Sequence, residues 1–130
     1  MKALTIRQPW AWAIMSGLKI IENRTWKTPY RGELLIHAGR GASVKLPGNK
    51  LPDGTPIPDD LPRGFALGVV DLIDILPVEE CDPDNPFAIG PWCWVLSRPR
   101  PLASPIACKG ALSLWRPPAA VLEAARHAAG

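Results

Sequence analysis

Sixteen prolines and eleven glycines are spread along these 130 residues, and no other feature of the chain limits its fold as much. Each proline fixes its own backbone and removes one hydrogen-bond donor, so long helices cannot run through them. A helix bundle is excluded, and short strands joined by turns fit. Apolar residues make up 47% of the chain, enough for one domain of this length to bury a core without disulfides. Cys81, Cys93 and Cys108 are odd in number, widely spaced and free of any C-x-x-C pair, so neither a disulfide framework nor a zinc site is signalled. No stretch approaches the ~20 apolar residues of a membrane span, and the N-terminus lacks a long apolar region. The expectation is one cytoplasmic, monomeric domain over residues 1–130.

Residues 3–6 read as a first strand running into Arg7-Gln8-Pro9-Trp10. Pro9 suits the first turn of a helix of about two turns over 11–16, and Gly17 can supply the left-handed residue that ends it. The β-branched Ile20, Ile21 and Thr25 favour an extended segment over 20–26, and the apolar run 34–38 predicts a buried third strand. Residues 39–63, rich in Gly, Pro, Lys and Asp, suit an exposed excursion. The run FALGVVDLIDIL (65–76) is the strongest strand signal, with Gly68 marking a bulge. An acidic, proline-rich connection follows over 77–91. A strand over 92–96 is expected to stop at Pro99 and Pro101, with a short strand at 106–108 and a helix over 119–129. The fold class is therefore α+β and β-rich, a small curved sheet or barrel with short helices at its ends.

Charge is distributed unevenly. Residues 1–50 carry nine Lys/Arg against two Asp/Glu, residues 51–90 one against nine, and residues 91–130 five against one. Two basic flanks folded together make a positive face suited to phosphates, although a solvated charged surface explains the pattern equally well.

On an extended strand Glu22, Arg24 and Trp26 share one face because side chains alternate, and Lys19 sits in the preceding turn within reach of it. Trp10 and Ile14, one helical turn apart, pack nearby. Together they offer a phosphate-seeking cation, a fork-shaped donor, a carboxylate able to read an amino group, and stacking surface. Spacing alone favours the plainer reading, a strand-surface ion pair with Trp26 in the core.

The string IRQPWAWAIMSGLKIIENRTWKTPYRGELLIHAGR resembles the ASCH domain (activating signal cointegrator homology), whose signature is G-x-K-x-x-E-x-R. Gly17, Lys19, Glu22 and Arg24 match it. Gln8-Pro9-Trp10-Ala11, Arg31-Gly32, Ile36-His37-Ala38, GVVDLIDIL and Lys109-Gly110…Trp115 also look like that family's eukaryotic coactivator branch and its small prokaryotic relatives, so the resemblance covers about residues 3–118. It implies a PUA-like β-barrel with helices, and a cleft that brings Lys19, Glu22 and Arg24 together.

The resemblance implies nucleic-acid binding, to RNA or DNA, or binding of a modified nucleoside. Lys19, Arg24, Arg7, Arg40 and Lys109 are the candidates for phosphate, Glu22 for a base edge, and Trp26 or Trp10 for stacking, though most of the six tryptophans are expected in the core. The alternative is a hydrolase acting on nucleosides or RNA, with Lys19 and Glu22 as catalytic residues. Relatives similar to acetylcytidine amidohydrolases use a Lys, a Thr and a Glu. Here Glu22 stands where that threonine would be, Thr25 and Thr28 do not match its position, and neither Glu79 nor Glu80 aligns as the glutamate. A metal-independent ribonuclease would instead use Glu22 or His37 with Lys19 or Arg24. A lone histidine in LLIHA reads better as a core residue with both ring nitrogens satisfied. No cofactor is implied. Asp71 and Asp74, on opposite strand faces and without a third ligand, make no metal site.

Overall fold

The computed structural model describes residues 1–129. Six strands form one sheet: β1 (Lys2–Ile6), β2 (Ile21–Arg24), β3 (Gly32–Ala38), β4 (Phe65–Pro77), β5 (Trp92–Ala107) and β6 (Leu114–Trp115), in the spatial order β2-β5-β4-β3-β1-β6. Only β1 and β3 run parallel, a crossover that the helix α1 (Trp10–Met15) helps to make. The second helix, α2, spans Ala119–Ala129.

Strand alternation sorts the apolar side chains onto two faces. Leu4, Ile6, Leu34, Ile36, Val70, Leu72 and Trp94 face α1, which buries Ala11 and Ile14 among them. Ala3, Leu35, Ala66 and Val69 face the other way, onto Val121 and Ala125 of α2. The sheet curls around α1 into a half-barrel, the β-rich α+β architecture expected. Among the described residues no helix is long and apolar enough to cross a membrane.

Gln8 explains the start of α1. Its Oε1 accepts the Trp12 amide at 2.8 Å, satisfying one donor that a helix start leaves open, and its Nε2 donates to the Pro62 carbonyl at 2.9 Å. The excursion 39–63 is thereby tied to the helix. It contains a short 3-10 turn at Pro47–Asn49 and no named strand, and most of it is exposed. Leu51 is buried nonetheless, packed with Ala13 and Phe87.

Two strand expectations change. Strand β2 is shorter than expected, ending at Arg24, because β5 offers partners only from Trp92 to Val95. Strand β5 does not stop at Pro99 and Pro101 but runs on to Ala107. Two residues, Arg98 and Pro99, oppose the single Val70 in a bulge where Arg98 takes a φ of 51°. Past Leu96 the strand has β4 as its only neighbour, so a missing N–H breaks no second ladder. Gly68 lies at a register shift with both neighbours, the bulge anticipated there.

Candidate functional site

Gly17, at φ 79°, ends α1 and folds the chain back so that the Leu18 and Lys19 amides both donate to the Ala13 carbonyl. That tight return sends the Lys19 side chain inward, where it is 3% exposed. Its Nζ donates to the Ile21 carbonyl and, at 2.7 Å, to Glu22 Oε1. The other Glu22 oxygen accepts from Arg24 Nε at 3.1 Å and lies 2.9 Å from Arg24 Nη2. Arg24 Nη2 also donates to the Thr5 carbonyl at 3.0 Å. Lys19, Glu22 and Arg24 are thus brought together as a chain of ion pairs, with the carboxylate buried between two cations. Such an arrangement is tolerable away from water because every partner is present.

A hollow of about 190 Å³ opens over this chain. Lys19, Glu22 and Asn23 form its polar side, and Trp10, Pro52, Phe87 and Ile89 its apolar walls. Trp10 and Phe87 meet edge to face with centroids 6.5 Å apart, and Lys19 Nζ lies 5.7 Å from the Trp10 ring centroid. The wall from Phe87 to Gly90 is latched by Asn23. Its Nδ2 donates to the Phe87 carbonyl at 2.9 Å, and its Oδ1 accepts the Ile89 and Gly90 amides at 2.9 and 2.8 Å. Sequence reasoning missed Asn23, Phe87 and Ile89. The signals were there: Asn23 lies inside the G-x-K-x-x-E-x-R segment, and Phe87 is the one aromatic residue of the connection 77–91.

No hydroxyl or thiol side chain lines that hollow. Thr25 is exposed, the Thr28 hydroxyl accepts the Tyr30 amide, and Glu79 and Glu80 lie in an exposed 3-10 turn. Burial pushes the Cys93 thiol up to about 11, helped by the neighbouring Cys81, and burial raises Cys108 too, so neither is a ready nucleophile.

The remaining candidates fall elsewhere. Trp26 packs edge to face on Trp94, centroids 4.8 Å apart, and its carbonyl accepts the Trp94 Nε1 proton. It belongs to the core beside the site rather than to the lining. Of the six tryptophans only Trp94 is fully buried; the others are half-buried against the core clusters. Arg7 is exposed and holds the Ala42 carbonyl through Nε and Nη2 at 3.1 and 2.7 Å.

Arg40 and Lys109 meet at a separate groove of about 380 Å³, whose floor includes Thr5, His37, Gly39 and Gly110. Among the described residues no carboxylate lines it and neither cation has an ion-pair partner. His37 is 1% exposed, with Nε2 2.7 Å from the Cys108 carbonyl and Nδ1 3.3 Å from Thr5 Oγ1. Burial holds its pKa below the ordinary value; the Cys108 bond opposes that, and the charge of Arg40 adds to it. A neutral ring with Nε2–H donating to Cys108 and Nδ1 accepting from Thr5 satisfies both nitrogens, as expected of a core histidine. Asp71 is held by Arg98 and Arg100 at 2.8 and 2.9 Å.

The family model described as ASCH domain matches residues 4–90. Activating signal cointegrator 1 of Homo sapiens is 30% identical over 129 residues, covering 87% of this chain and 22% of the human protein. The Mus musculus protein of the same name is 30% identical over 125 residues with the same shares. The chain therefore spans about a fifth of the length of these relatives. Its fold is similar to that in the crystal structure of ASCH from Zymomonas mobilis, with a TM-score of 0.63 at 16% identity, over 95% of this chain and 91% of the other.

Proposed function

The chain belongs to the ASCH domain family, and on that premise we propose that it binds nucleic acid, RNA before DNA, with a base seated in the hollow over Lys19 and Glu22. The observation that carries the reading is the make-up of that hollow: aromatic walls against an ionic floor whose charges are already paired with one another. An aromatic wall suits the flat face of a base or modified nucleobase, and a fixed polar floor suits its edge. Glu22 keeps unused lone pairs beside its two cations and can accept an amino group. At about 190 Å³ the hollow is smaller than the several hundred Å³ of drug-sized sites, so it takes a base and leaves the backbone outside. Arg40 and Lys109, unpaired beside a groove without carboxylates, are the phosphate contacts of this reading, with Arg24 bonded to a lining residue of each site.

Binding is favoured over hydrolysis because Lys19 and Glu22 engage each other and, among the described residues, no hydroxyl or thiol side chain lines the hollow. Fluorescence anisotropy with labelled single-stranded and duplex RNA and DNA tests the proposal. Binding that weakens steeply with salt, and weakens in Trp10→Ala and in the Arg40→Ala/Lys109→Ala pair, is the expected outcome. No binding to any of the four at low salt overturns it.

A further inference from the structure

A third hollow opens where the chain leaves β2. Lys27, Thr28, Pro29, Arg31, Ile75 and Trp92 enclose about 400 Å³. Lys27 Nζ lies 4.4 Å from the centroid of the Trp92 ring, and among the described residues it has no carboxylate in ion-pair range. The Arg31 guanidinium is held from one side, with Nη1 donating to the Thr28 and Tyr30 carbonyls at 2.8 Å each. Its Nη2 stands 4.0 Å from Asp74 Oδ1, whose side chain is 55% exposed, a loose pair at the limit of contact. The hollow therefore presents an indole and two cations, one unpaired and one weakly paired.

This hollow is continuous with the family signature. Trp92 is the cross-strand partner of Arg24, so the two side chains leave the same face of the sheet as near neighbours, and Arg24 grips Glu22. β2 is an edge strand; Glu22 and Asn23 in its middle line the first hollow, and the Lys27 hollow opens just past its C-terminal end. Five residue steps lead from Glu22 to Lys27, at most about 18 Å of chain. A single strand of about five nucleotides covers that distance at the ~3.4 Å stacked spacing.

We infer that the Lys27–Arg31–Trp92 hollow is a second subsite for a single-stranded nucleic acid, taking a phosphate between the two cations and a base against the indole. The inference rests on the nucleic-acid reading above. An exposed cation over an aromatic ring is a weak contact that a phosphate can replace, and Arg31 offers its outer nitrogen in the planar geometry phosphates favour. A paired duplex cannot offer free base faces to both hollows, whereas an unpaired strand can.

The test compares a labelled single-stranded octanucleotide with a dinucleotide, which reaches only one hollow, across a salt series. The proteins are the wild type, Lys27→Glu and Lys27→Ala/Arg31→Ala, each checked for folding by circular dichroism. Lys27→Glu alters one exposed side chain and keeps the test open if the double variant misfolds. Octanucleotide affinity is expected to fall about tenfold or more as the phosphate contacts of the second hollow are lost. The salt slope is expected to shrink by about 0.7 for each phosphate no longer neutralised, with dinucleotide binding unchanged. Wild-type affinity and slope in the folded variants overturn the second subsite and leave the nucleic-acid reading standing, as does wild-type binding that does not depend on length. Failure of the wild type to bind either oligonucleotide sinks that reading and this inference with it.

Discussion

The Nη2 of Arg24 donates to the carbonyl of Thr5 at 3.0 Å, joining β2 to β1 although three strands lie between them in the sheet order. The same guanidinium holds Glu22 Oε2. One side chain thus ties the curl of the sheet to the ionic floor of the site. Arg24→Ala removes charge-assisted bonds to two partners, and an unfolding free energy lower by about 2 kcal/mol is expected in urea denaturation. Arg24→Lys keeps the charge without the planar fork, so it should fall between the two. Wild-type stability in Arg24→Ala contradicts the stapling role.

Lys19 and Glu22 are both buried, so removing one strands the other. Lys19→Met leaves the buried carboxylate with one cation, Arg24, in place of two and is expected to cost about 3 kcal/mol. The double variant Lys19→Met/Glu22→Leu buries neither a lone ammonium nor a half-paired carboxylate and leaves Arg24 with the Thr5 carbonyl. Its loss should be smaller than the sum of the two single losses by about 1–3 kcal/mol, read from a double-mutant cycle. Strict additivity shows that the pair does not interact as the 2.7 Å separation requires.

What the sequence made legible follows from where local rules and tertiary packing agree. Gly17 stops α1 because only a left-handed residue fits there, and Leu34 to Ala38 form a strand because a run of apolar side chains needs two covered faces. The proline rule failed at Pro99 because tolerance depends on whether a neighbouring strand needs the N–H, which is a property of the sheet and not of the segment. For the site, the G-x-K-x-x-E-x-R spacing brought out three residues, but not that Lys19 would spend its hydrogen bonds on Ile21 and Glu22. The walls were hidden for a different reason. Phe87 and Ile89 come from an acidic connection with no periodicity, and only the Asn23 bonds, made across more than sixty residues of chain, show why that loop stands where it does.

His37 predicts a pH dependence with a defined sign. Burial holds the ring neutral in the folded state, so its folded pKa lies below the unfolded value of about 6.5. As pH falls through 6.5 the unfolded chain binds a proton that the native state does not, and stability drops; above about 7 the contribution is fully present. Asp71 acts in a lower window. Burial works to raise its carboxyl, but Arg100 and Arg98 outweigh that and lower it, so its contribution is present above the usual carboxylate range and lost in strong acid. Denaturant titrations from pH 8 to 5 should show a fall that is absent in His37→Gln. Nitrogen-detected NMR should find Nε2 protonated and Nδ1 bare; a cationic ring at pH 6.5 contradicts the assignment.

Gly110 lies so close to the His37 network that a Cβ there would stand 2.5 Å from Thr5 Oγ1 and 2.8 Å from His37 Nδ1. Glycine at this position keeps the Arg40–Lys109 groove floor flat against the ring. Gly110→Ala is expected to cost about 1–3 kcal/mol through overpacking. It should also move the His37 and Trp115 resonances, since Trp115 Nε1 donates to the same Thr5 hydroxyl at 3.1 Å. Reduced stability without those shifts places the strain elsewhere.

Asn23 reaches four partners with one small side chain: the Phe87 carbonyl, the Ile89 and Gly90 amides, and, at 3.8 Å, the Cys93 thiol. Two of the residues so fixed, Phe87 and Ile89, wall the hollow over Lys19. Asn23→Ala leaves those backbone groups without partners and is expected to lower stability by about 2–3 kcal/mol. Asn23→Asp keeps the oxygen that accepts both amides but sets a second oxygen against the Phe87 carbonyl, so it should destabilise too while the bonds to amides 89 and 90 persist. The separating measurement is hydrogen exchange. Amides 89 and 90 should exchange much faster in Asn23→Ala while those of β1 and β3 keep their protection, because the latch holds a loop rather than the core. Ligand binding should weaken in step with that loosening. Unchanged exchange at 89 and 90 removes Asn23 from the construction of the site.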